Sequence, residues 1–417
     1  MGGYSGFRIL SEGLRGNTGW KPAWRKAQPR PSYDVIVVGG GGHGLATAFY
    51  LASEHGITNV AVIERGPIGQ GNTGRNTTIV RSNYLFPENN NFYEHSLKLW
   101  EGLERSLGFN VMMSQRGVVN LFHSDAQRNA FMRRGNSMRL NGIDAELLDR
   151  DGVRAMCPLV DLDNARYPVM GGLLQRRGGT ARHDAVAWGF AHAADARGVD
   201  IIEHCEVTGI IVEGGAVQGV RTTRGEIRAP KVGLAVAGHT GTLMAMVGVQ
   251  VPIETHLLQA FVSEALKPMI DCVVTFGAGH FYISQSDKGG LVFGGGLDGY
   301  NSYGAGGTLR EAEHVFAAGV SMIPALSRTR ALRSWAGVMD MTPDGSPYIC
   351  TTPIRGLTMT AGWNYGGFKA TPGSGWCHAW TIAKGEPHRL NAAFTLDRFR
   401  QGRILDEKGA GPFGWMQ

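Results

Sequence analysis

The chain has 417 residues, of which 43% are hydrophobic and 18% charged, so it is long enough for two domains and is composed like a globular enzyme rather than a disordered or fibrous protein. Its net charge is +6, but the basic residues are interspersed with acidic ones and form no long Lys/Arg run, which argues against nucleic-acid binding and favours an anionic cofactor or substrate. It has no run of about 18 or more apolar residues and no apolar signal segment near residue 1, and we therefore expect a cytoplasmic protein without membrane contact.

The five cysteines (157, 205, 272, 350 and 377) are scattered along the chain and form no C-x-x-C pair. Disulfide frameworks and zinc sites need cysteines in closer, regular spacing. We expect these thiols to be reduced and buried, and we expect no metal site.

Residues 1–32 differ from the rest of the chain. They carry six Lys/Arg against one acidic residue, interleaved with Tyr4, Phe7, Trp20 and Trp24. Aromatic side chains without periodicity favour an N-terminal arm that packs on another subunit, with a disordered basic tail as the alternative.

A nucleotide-binding unit is predicted between Tyr33 and Glu64. The apolar run 34–38 leads into glycines 39, 41 and 44, which have the spacing G-x-G-x-x-G where a strand would turn into a helix. The first glycine makes the turn, the second lets the backbone approach a pyrophosphate, and the third lets the helix pack on the sheet. A second strand then ends on Glu64, whose carboxylate can accept bonds from a ribose.

This βαβ unit predicts a bound dinucleotide. Its position at the start of the folded region favours FAD, with NAD as the competing interpretation. The expected contacts in this unit are Gly39, Gly41, Gly42, His43, Gly44, Glu64 and Arg65.

The glycine-rich stretch after Pro67 is predicted to turn over the flavin. Its expected cofactor contacts are Asn72, Thr77, Thr78 and Ile79. Arg81 follows an Ile-Val pair, and a guanidinium pointing inward there could bind a carboxylate through two parallel hydrogen bonds.

A basic turn with Arg176, Arg177 and Arg182 precedes His183 and Asp184 at the start of a predicted helix. Asp184 suits a helix N-terminus, where its charge meets the macrodipole. From the residues alone, His183 is typical of an ordinary loop histidine.

Residues 200–236 are predicted to form strands and hairpins beside the nucleotide-binding sheet. Val207 is expected where main chain contacts the adenine, and Ala237 and Gly238 where the backbone approaches the nucleotide again. Residues 251–327 are predicted to form a sheet over the active site, with Tyr282 and His280 on one strand face. Those two side chains could reach a substrate, or they could be ordinary half-buried strand residues.

The last predicted feature is a glycine-rich turn near the C-terminus. Its expected contacts with the flavin are Gly366, Gly367, Phe368 and Lys369. A lysine held among closely packed backbones is costly unless an anion pairs with it. Lys369 is therefore a candidate substrate ligand.

Taken together, these motifs resemble one family. The stretches YDVIVVGGGGHGLATA, GNTGRNTTIVRSNYL, ARHDAVAWGFA, YISQSDKG and GGFKATPGSG are similar to those of the β subunits of heterotetrameric sarcosine oxidases, within the D-amino-acid-oxidase-like FAD amine oxidases. The resemblance runs nearly end to end, from YSGF in the arm to the closing LDEKG.

The resemblance implies a non-covalent FAD and an FMN linked covalently to His183. We infer that the basic turn beside it, with Arg176, Arg177 and Arg182, binds the FMN phosphate. The resemblance places the substrate carboxylate between Arg81 and Lys369, and the strand position of Tyr282 makes it a further candidate catalytic residue. Single-chain relatives attach FAD to a cysteine where this chain has Gly337 or a near neighbour, and they have an oxygen-activating lysine in the strand aligned with residues 291–293, where this chain has none. The resemblance therefore implies that electrons pass from FAD to FMN before they reach oxygen.

The resemblance further implies a β subunit that demethylates sarcosine to glycine with peroxide formation, assembled with α, γ and δ subunits, with tetrahydrofolate on the α subunit accepting the one-carbon unit. The alternatives are a dehydrogenase for another N-methyl amino acid, such as dimethylglycine, and a flavin-binding scaffold without turnover.

The predicted fold is α/β. It has a doubly wound, Rossmann-like FAD domain of the glutathione-reductase type, interleaved with a mixed-sheet α+β substrate domain. The predicted bounds are 1–32 for the arm, 33–95, 160–250 and 328–395 for the FAD domain, 96–159 and 251–327 for the substrate domain, and 396–417 for a C-terminal tail.

Overall fold

The computed structural model describes residues 5–164 and 166–407. The first four residues of the predicted arm and residues 408–417 of the predicted tail, with the end of the LDEKG motif, lie outside the described residues. The helices are α1 (Gly6–Leu14), α2 (Gly42–His55), α3 (Asn72–Arg75), α4 (Pro87–Leu107), α5 (Asp125–Leu140), α6 (Arg150–Met156), α7 (His183–Asp195), α8 (Thr240–Ala245), α9 (Leu309–Met322) and α10 (Thr371–Lys384).

The strands form two large sheets and two small ones. They are β1 (Val35–Val38), β2 (Val60–Ile63), β3 (Ile79–Val80), β4 (Val118–Phe122), β5 (Glu146–Leu148), β6 (Gly171–Gln175), β7 (Gly179–Thr180), β8 (Asp200–Ile202), β9 (Val207–Glu213), β10 (Ala216–Thr222), β11 (Gly225–Arg228), β12 (Val232–Leu234), β13 (Glu254–Ala265), β14 (Val273–Phe276), β15 (Phe281–Gln285), β16 (Gly290–Leu297), β17 (Ala331–Met341), β18 (Tyr348–Thr351) and β19 (Leu357–Ala361).

The first large sheet has the order β18-β19-β12-β1-β2-β8. Its strands are parallel except for β18, which pairs antiparallel with β19 at the edge. Every residue of β1 and β2 is buried, because helices cover one face of the sheet and residues of β9–β11 pack on the other. Helices α10 and α7 both pack against α2, and the antiparallel hairpins β9–β11 form a separate three-stranded sheet. This architecture confirms the predicted doubly wound fold.

The second large sheet has the order β17-β13-β16-β15-β14-β4-β6-β5. It is mixed, because β14 runs parallel to β4 while the other neighbours are antiparallel. Strands β13 and β17 pair in continuous register from Glu254 opposite Met341 to Val262 opposite Arg333, which gives the sheet one long edge.

The predicted domain bounds differ from the sheets in two places. Strands β6 and β17 fall in segments that were predicted to belong to the FAD domain, yet both pair within the eight-stranded sheet. The sequence did not reveal this, because an apolar strand carries no mark of the sheet in which its hydrogen bonds are satisfied.

Residues 20–32 of the arm are attached to the rest of the chain by ion pairs and a hydrogen bond, and α1 precedes this attached segment. Arg25 pairs with Asp195 at 2.8 Å, Arg30 pairs with Asp200 at 2.8 Å, and the Trp24 indole donates to Glu203 at 3.3 Å. Glu12 is buried and accepts from the Gly19 amide at 2.9 Å, which folds α1 back on the chain that follows it. The described residues contain no helix with both the length and the apolar composition that a membrane crossing requires.

Candidate active site

A cavity of about 1020 Å³ lies between the carboxyl ends of β1, β2 and β12 and the inner face of the eight-stranded sheet. The carboxyl ends of parallel strands are where open α/β sheets bind ligands, and pockets for ligands usually have volumes of roughly 300–1,000 Å³. This cavity is large enough for a dinucleotide with a small substrate. The predicted site residues that line it are Gly39, Gly41, Gly42, His43, Glu64, Arg65, Asn72, Thr77, Thr78, Ile79, Arg81, Val207, Ala237, Gly238, Tyr282, Gly366, Gly367, Phe368 and Lys369.

One end of the cavity is formed by the turn between β1 and α2. Gly41 caps α2 without a side chain of its own, and the Gly42 amide donates to the Thr73 hydroxyl at 2.9 Å; all three residues line the cavity. Gly39 has a φ of 109°, and a Cβ there would lie 2.3 Å from the carbonyl oxygen of Ala235. A helix N-terminus that opens from a glycine turn into a cavity is suited to phosphate groups.

Gly44 lies outside the cavity and has a packing role. A Cβ at Gly44 would lie 1.9 Å from the carbonyl oxygen of Gly39, so only a glycine lets α2 come this close to the turn. This position keeps the amides of the turn aimed at the cavity.

Glu64 ends β2 at the same edge of the sheet. Its carboxylate accepts from the Gly40 amide at 2.8 Å and from the Gly66 amide at 2.9 Å. A carboxylate has about four lone-pair positions, so two remain for a ribose.

The segment after α3 is fixed to strand β17. The Asn72 amide donates to the Val338 carbonyl at 2.5 Å and accepts from the Val338 amide at 3.0 Å, so this predicted cofactor ligand mainly ties the segment to the large sheet. Thr78 has a φ of 67°, which is strained for a β-branched residue, and such strain is concentrated at functional sites.

The cavity also contains two side chains that the sequence did not single out. The rings of His239 and Tyr303 stack with centroids 5.1 Å apart, and the Tyr303 hydroxyl donates to the Gly238 carbonyl at 3.2 Å. Arg65 reaches His239 at 3.2 Å. They were missed because their loops are distant in sequence and carry no motif.

Arg81 and Lys369 meet in the cavity, although 288 positions separate them in sequence (369 − 81). The Lys369 side chain is 5% exposed, and its ammonium donates to the Tyr365 carbonyl at 2.5 Å. Burial, and then the positive charge of Arg81, hold the pKa of Lys369 well below its usual value. Among the described residues, no carboxylate lies within ion-pair distance of either side chain. Two cations in this arrangement are suited to an anionic ligand.

Contacts with neighbouring elements fix the positions of Arg81 and Lys369. The Lys369 carbonyl accepts from Ser96 at 2.8 Å and from the Trp100 indole at 2.9 Å, which ties its turn to α4. Arg81 follows β3, which pairs with β7, and its guanidinium lies 5.2 Å from the ring centroid of Tyr84 and bonds to Asn83.

Asp340 fastens the lysine turn to β17. Its buried carboxylate accepts from the Gly362 amide at 2.6 Å, and burial raises the pKa of Asp340 to about 6. Gly362 and Asn364 both have positive φ values, of 71° and 49°. The turn before Lys369 therefore has little conformational freedom.

Tyr282 faces the cavity from β15. Its hydroxyl is buried without a hydrogen-bond partner of ordinary geometry among the described residues, and burial raises the pKa of Tyr282 to about 12, against a smaller lowering by Thr77. It lies over Gly294 of β16, where a Cβ would be 2.5 Å from the hydroxyl oxygen. A buried, protonated phenol without a partner can donate to a ligand in the cavity.

His183 and Arg182 do not line this cavity. His183 begins α7, and its Nδ1 is buried without a partner among the described residues. Burial holds the pKa of His183 below its usual value, despite an opposing effect of Asp184. A neutral imidazole with a free ring nitrogen has the chemistry that a covalent histidyl flavin requires.

The basic turn beside His183 is neutralised within the chain. Arg182 binds both oxygens of Asp184, at 3.0 and 2.6 Å, and its hydrogen bonds lower the pKa of Asp184 to about 2. Arg177 pairs with Glu94 and Glu101, and Arg176 pairs with Glu146. Phosphate binding by these side chains stays a prediction, and a phosphate there would compete with these carboxylates.

The features of the cavity fit FAD. A helix N-terminus at a glycine turn, a strand-end carboxylate and a second close backbone approach suit the nucleotide, and the two cations suit a carboxylate substrate beside the ring. The described residues contain no cluster of three or more His, Cys, Asp or Glu suited to a metal ion.

Comparisons with known proteins agree with this geometry. Residues 34–380 match the family described as FAD dependent oxidoreductase. The chain is 66% identical over 408 residues to a sarcosine oxidase subunit beta of Rhizobium meliloti (strain 1021), covering 98% of each chain, and 50% identical over 388 residues to one of Arthrobacter sp, covering 93% of this chain and 96% of the other. The solved structure of an L-proline dehydrogenase from P. horikoshii superimposes with a TM-score of 0.84 at 28% identity, covering 90% of this chain and all of that one.

Replacing Gly44 with alanine is expected to release the dinucleotide. The new methyl group would overlap the Gly39 carbonyl and push α2 away from the turn, with a cost of about 1–3 kcal/mol. We expect a lower flavin-to-protein ratio after gel filtration and a lower melting temperature. Gly241→Ala in α8 is the matched control, because a Cβ there meets nothing within 4 Å. Full flavin content in Gly44→Ala would contradict the packing role.

Proposed function

We propose that this chain, which belongs to the FAD dependent oxidoreductase family and within it to the sarcosine oxidase β subunits, oxidises the N-methyl group of sarcosine in the cavity described above. The observation that carries the substrate assignment is the pair of cations, Arg81 and Lys369, which lack a carboxylate partner among the described residues. A small amino acid supplies that partner and leaves its methyl carbon free to point along the cavity.

The two cations orient the substrate and also act on its amine. Both hydrogen-bond to the carboxylate, which fixes the molecule at one end. Their positive field disfavours the ammonium form of the substrate, so the nitrogen is held as the neutral amine whose lone pair assists loss of a hydride equivalent. FAD, when bound, supplies the two-electron acceptor.

Two other groups shape the reacting end. Tyr282 donates a hydrogen bond into the cavity from a position without another partner, and the rigid turn 362–369 excludes water from the side of Lys369.

We further infer that His183 carries a covalent FMN that receives electrons from the FAD and passes them to oxygen. The support is the partly buried, neutral imidazole with an unpartnered Nδ1 at the start of α7. Helix α7 packs directly on α2, so the two flavin positions lie on adjoining helices. The product would be glycine, with the one-carbon unit passed to tetrahydrofolate on an α subunit.

The assembly with α, γ and δ subunits is supported by helix α1. Phe7, Leu10 and Leu14 form a stripe at spacings of three and four residues, and their side chains are 88%, 62% and 82% exposed. The helix is folded and tied to the body through the arm, so a stripe of this size facing water is expected to be a contact surface.

Replacing Arg81 or Lys369 with methionine is expected to raise KM for sarcosine by at least about 30-fold, which corresponds to about 2 kcal/mol for a buried carboxylate contact. The measurement is steady-state oxygen consumption by the assembled enzyme, with sarcosine and dimethylglycine assayed in parallel. Lys98→Met, at an exposed position on α4, is the control. An unchanged KM for sarcosine in both variants would reject the roles assigned to Arg81 and Lys369. A higher kcat/KM of the wild-type enzyme for dimethylglycine than for sarcosine would instead favour dimethylglycine as the substrate.

Mass spectrometry of the denatured assembly is expected to find the mass of FMN on the peptide that contains His183 and no flavin elsewhere on the chain. His183→Ala should remove that mass. His192→Ala, on the same helix with its Nδ1 2.8 Å from the Ala23 carbonyl, should retain it. An unmodified His183 peptide in the active wild-type enzyme would exclude the covalent link.

The double replacement Phe7→Ser and Leu14→Ser is expected to weaken assembly with the partner subunits, because it removes two of the three apolar side chains of the stripe without touching the cavity. Co-expression, affinity purification and mass photometry would report the loss. Leu140→Ser removes a leucine that is also 88% exposed, on α5, and should have no effect. Intact assembly of the double variant would show that the stripe has another role.

A further inference from the structure

A third cation faces the cavity from helix α5. Arg134 lines the cavity together with Arg81 and Lys369, and its side chain is half-buried. Its guanidinium lies 5.8 Å from the ring centroid of Phe131, one turn earlier on the helix. Among the described residues, no carboxylate comes within ion-pair distance of Arg134 and no hydrogen bond satisfies its guanidinium. Such a cation is costly unless an anion visits it.

The Glu407 carboxylate acts electrostatically on Arg134, but its oxygens already accept hydrogen bonds from backbone amides. Glu407 lines the same cavity, and its carboxylate raises the pKa of Arg134 against a larger lowering by burial. The oxygens of Glu407, however, accept from the Leu85 amide at 2.9 and 3.2 Å and from the Phe86 amide at 2.7 Å. Glu407 therefore offsets part of the charge without pairing with the guanidinium.

The three cations differ in exposure. Arg134 and Arg81 are both half-buried, whereas Lys369 is 5% exposed. The positive charge of Arg81 lowers the pKa of both Arg134 and Lys369. The Tyr84 ring, stacked on Tyr93 with centroids 3.9 Å apart, lies within the field of both guanidinium groups. Lys369 is thus the inner member, and Arg134 is a more exposed cation on the same cavity.

We propose that Arg134 is an outer carboxylate-binding position, which receives the carboxylate of the incoming amino acid before Arg81 and Lys369 bind it. The proposal rests on the function proposed above, because it assumes a carboxylate ligand at the inner pair. It adds a second binding position with its own residue and its own ligand chemistry, a small monocarboxylate.

The proposed position acts on the rate of binding more than on final affinity. A cation at the outer part of a low-dielectric cavity concentrates anions there and speeds their association. Once the carboxylate moves inward it neutralises the inner pair, and Arg134 is left to receive the next anion. Tyr84 also lines the cavity, with its ring centroid 5.2 Å from the Arg81 guanidinium, and gives the carboxylate a polar surface on which to pass.

The test uses methoxyacetate, a carboxylate close to sarcosine in shape that has no amine to oxidise. Its binding to the assembled holoenzyme is followed by stopped-flow through the change in flavin absorbance, at several ionic strengths. Arg134→Gln is expected to lower the association rate constant on the order of ten-fold and to flatten its dependence on salt. Arg133→Gln removes the same charge from an exposed neighbouring position and should change neither quantity.

Arg134→Lys separates charge from structure. It keeps the positive charge and should retain the wild-type association rate within about three-fold, together with its salt dependence. A wild-type rate and salt dependence in Arg134→Gln would overturn the proposal, and so would an equal loss in the Lys and Gln variants, since that would indicate a packing role. A separate experiment tests the proposed function itself. If that function is wrong, sarcosine will not reduce the flavin of the wild-type enzyme under anaerobic conditions, whatever the association rates of the variants.

Discussion

The site depends on keeping two like charges side by side in one cavity. Arg81 and Lys369 repel each other, and neither pairs with a carboxylate in the described chain, so the folded protein must hold them together at a cost. Backbone contacts hold each cation in place. Arg81 follows β3, which pairs with β7, and the Lys369 carbonyl accepts hydrogen bonds from side chains of α4. The ligand that neutralises the pair therefore releases electrostatic strain that the rest of the structure maintains.

The nucleotide-binding half could be predicted because its signals are local. Strand β1, the glycine turn and α2 are contiguous, and each glycine has a steric reason that a sequence pattern expresses, such as the lack of space for a Cβ at Gly44. The fold class and the resemblance to the sarcosine oxidase β subunits were confirmed for this reason. The roles of the individual site residues stay predictions.

The features that the sequence did not reveal depend on long-range partners. The residues around Asn72 do not indicate that its side chain hydrogen-bonds to the backbone of Val338. In the same way, the local sequence does not show that β6 and β17 join the eight-stranded sheet, or that Arg134 on α5 lines the same cavity as Arg81. The basic turn beside His183 shows the opposite case. Its arginines look like a phosphate site in sequence, and the fold supplies each of them with a carboxylate.

The link from Asp340 to Gly362 restricts how relatives of this protein can diverge. The turn that carries Lys369 is fastened to β17 and adopts two left-handed positions, so it cannot be rebuilt piece by piece without losing the inner cation. The wall formed by Tyr282 over Gly294 carries no such fastening, and its phenol can be exchanged for a smaller side chain within the existing strands. A change in the shape of this cavity is therefore expected to disturb the structure less at the Tyr282 wall than at the turn that carries Lys369.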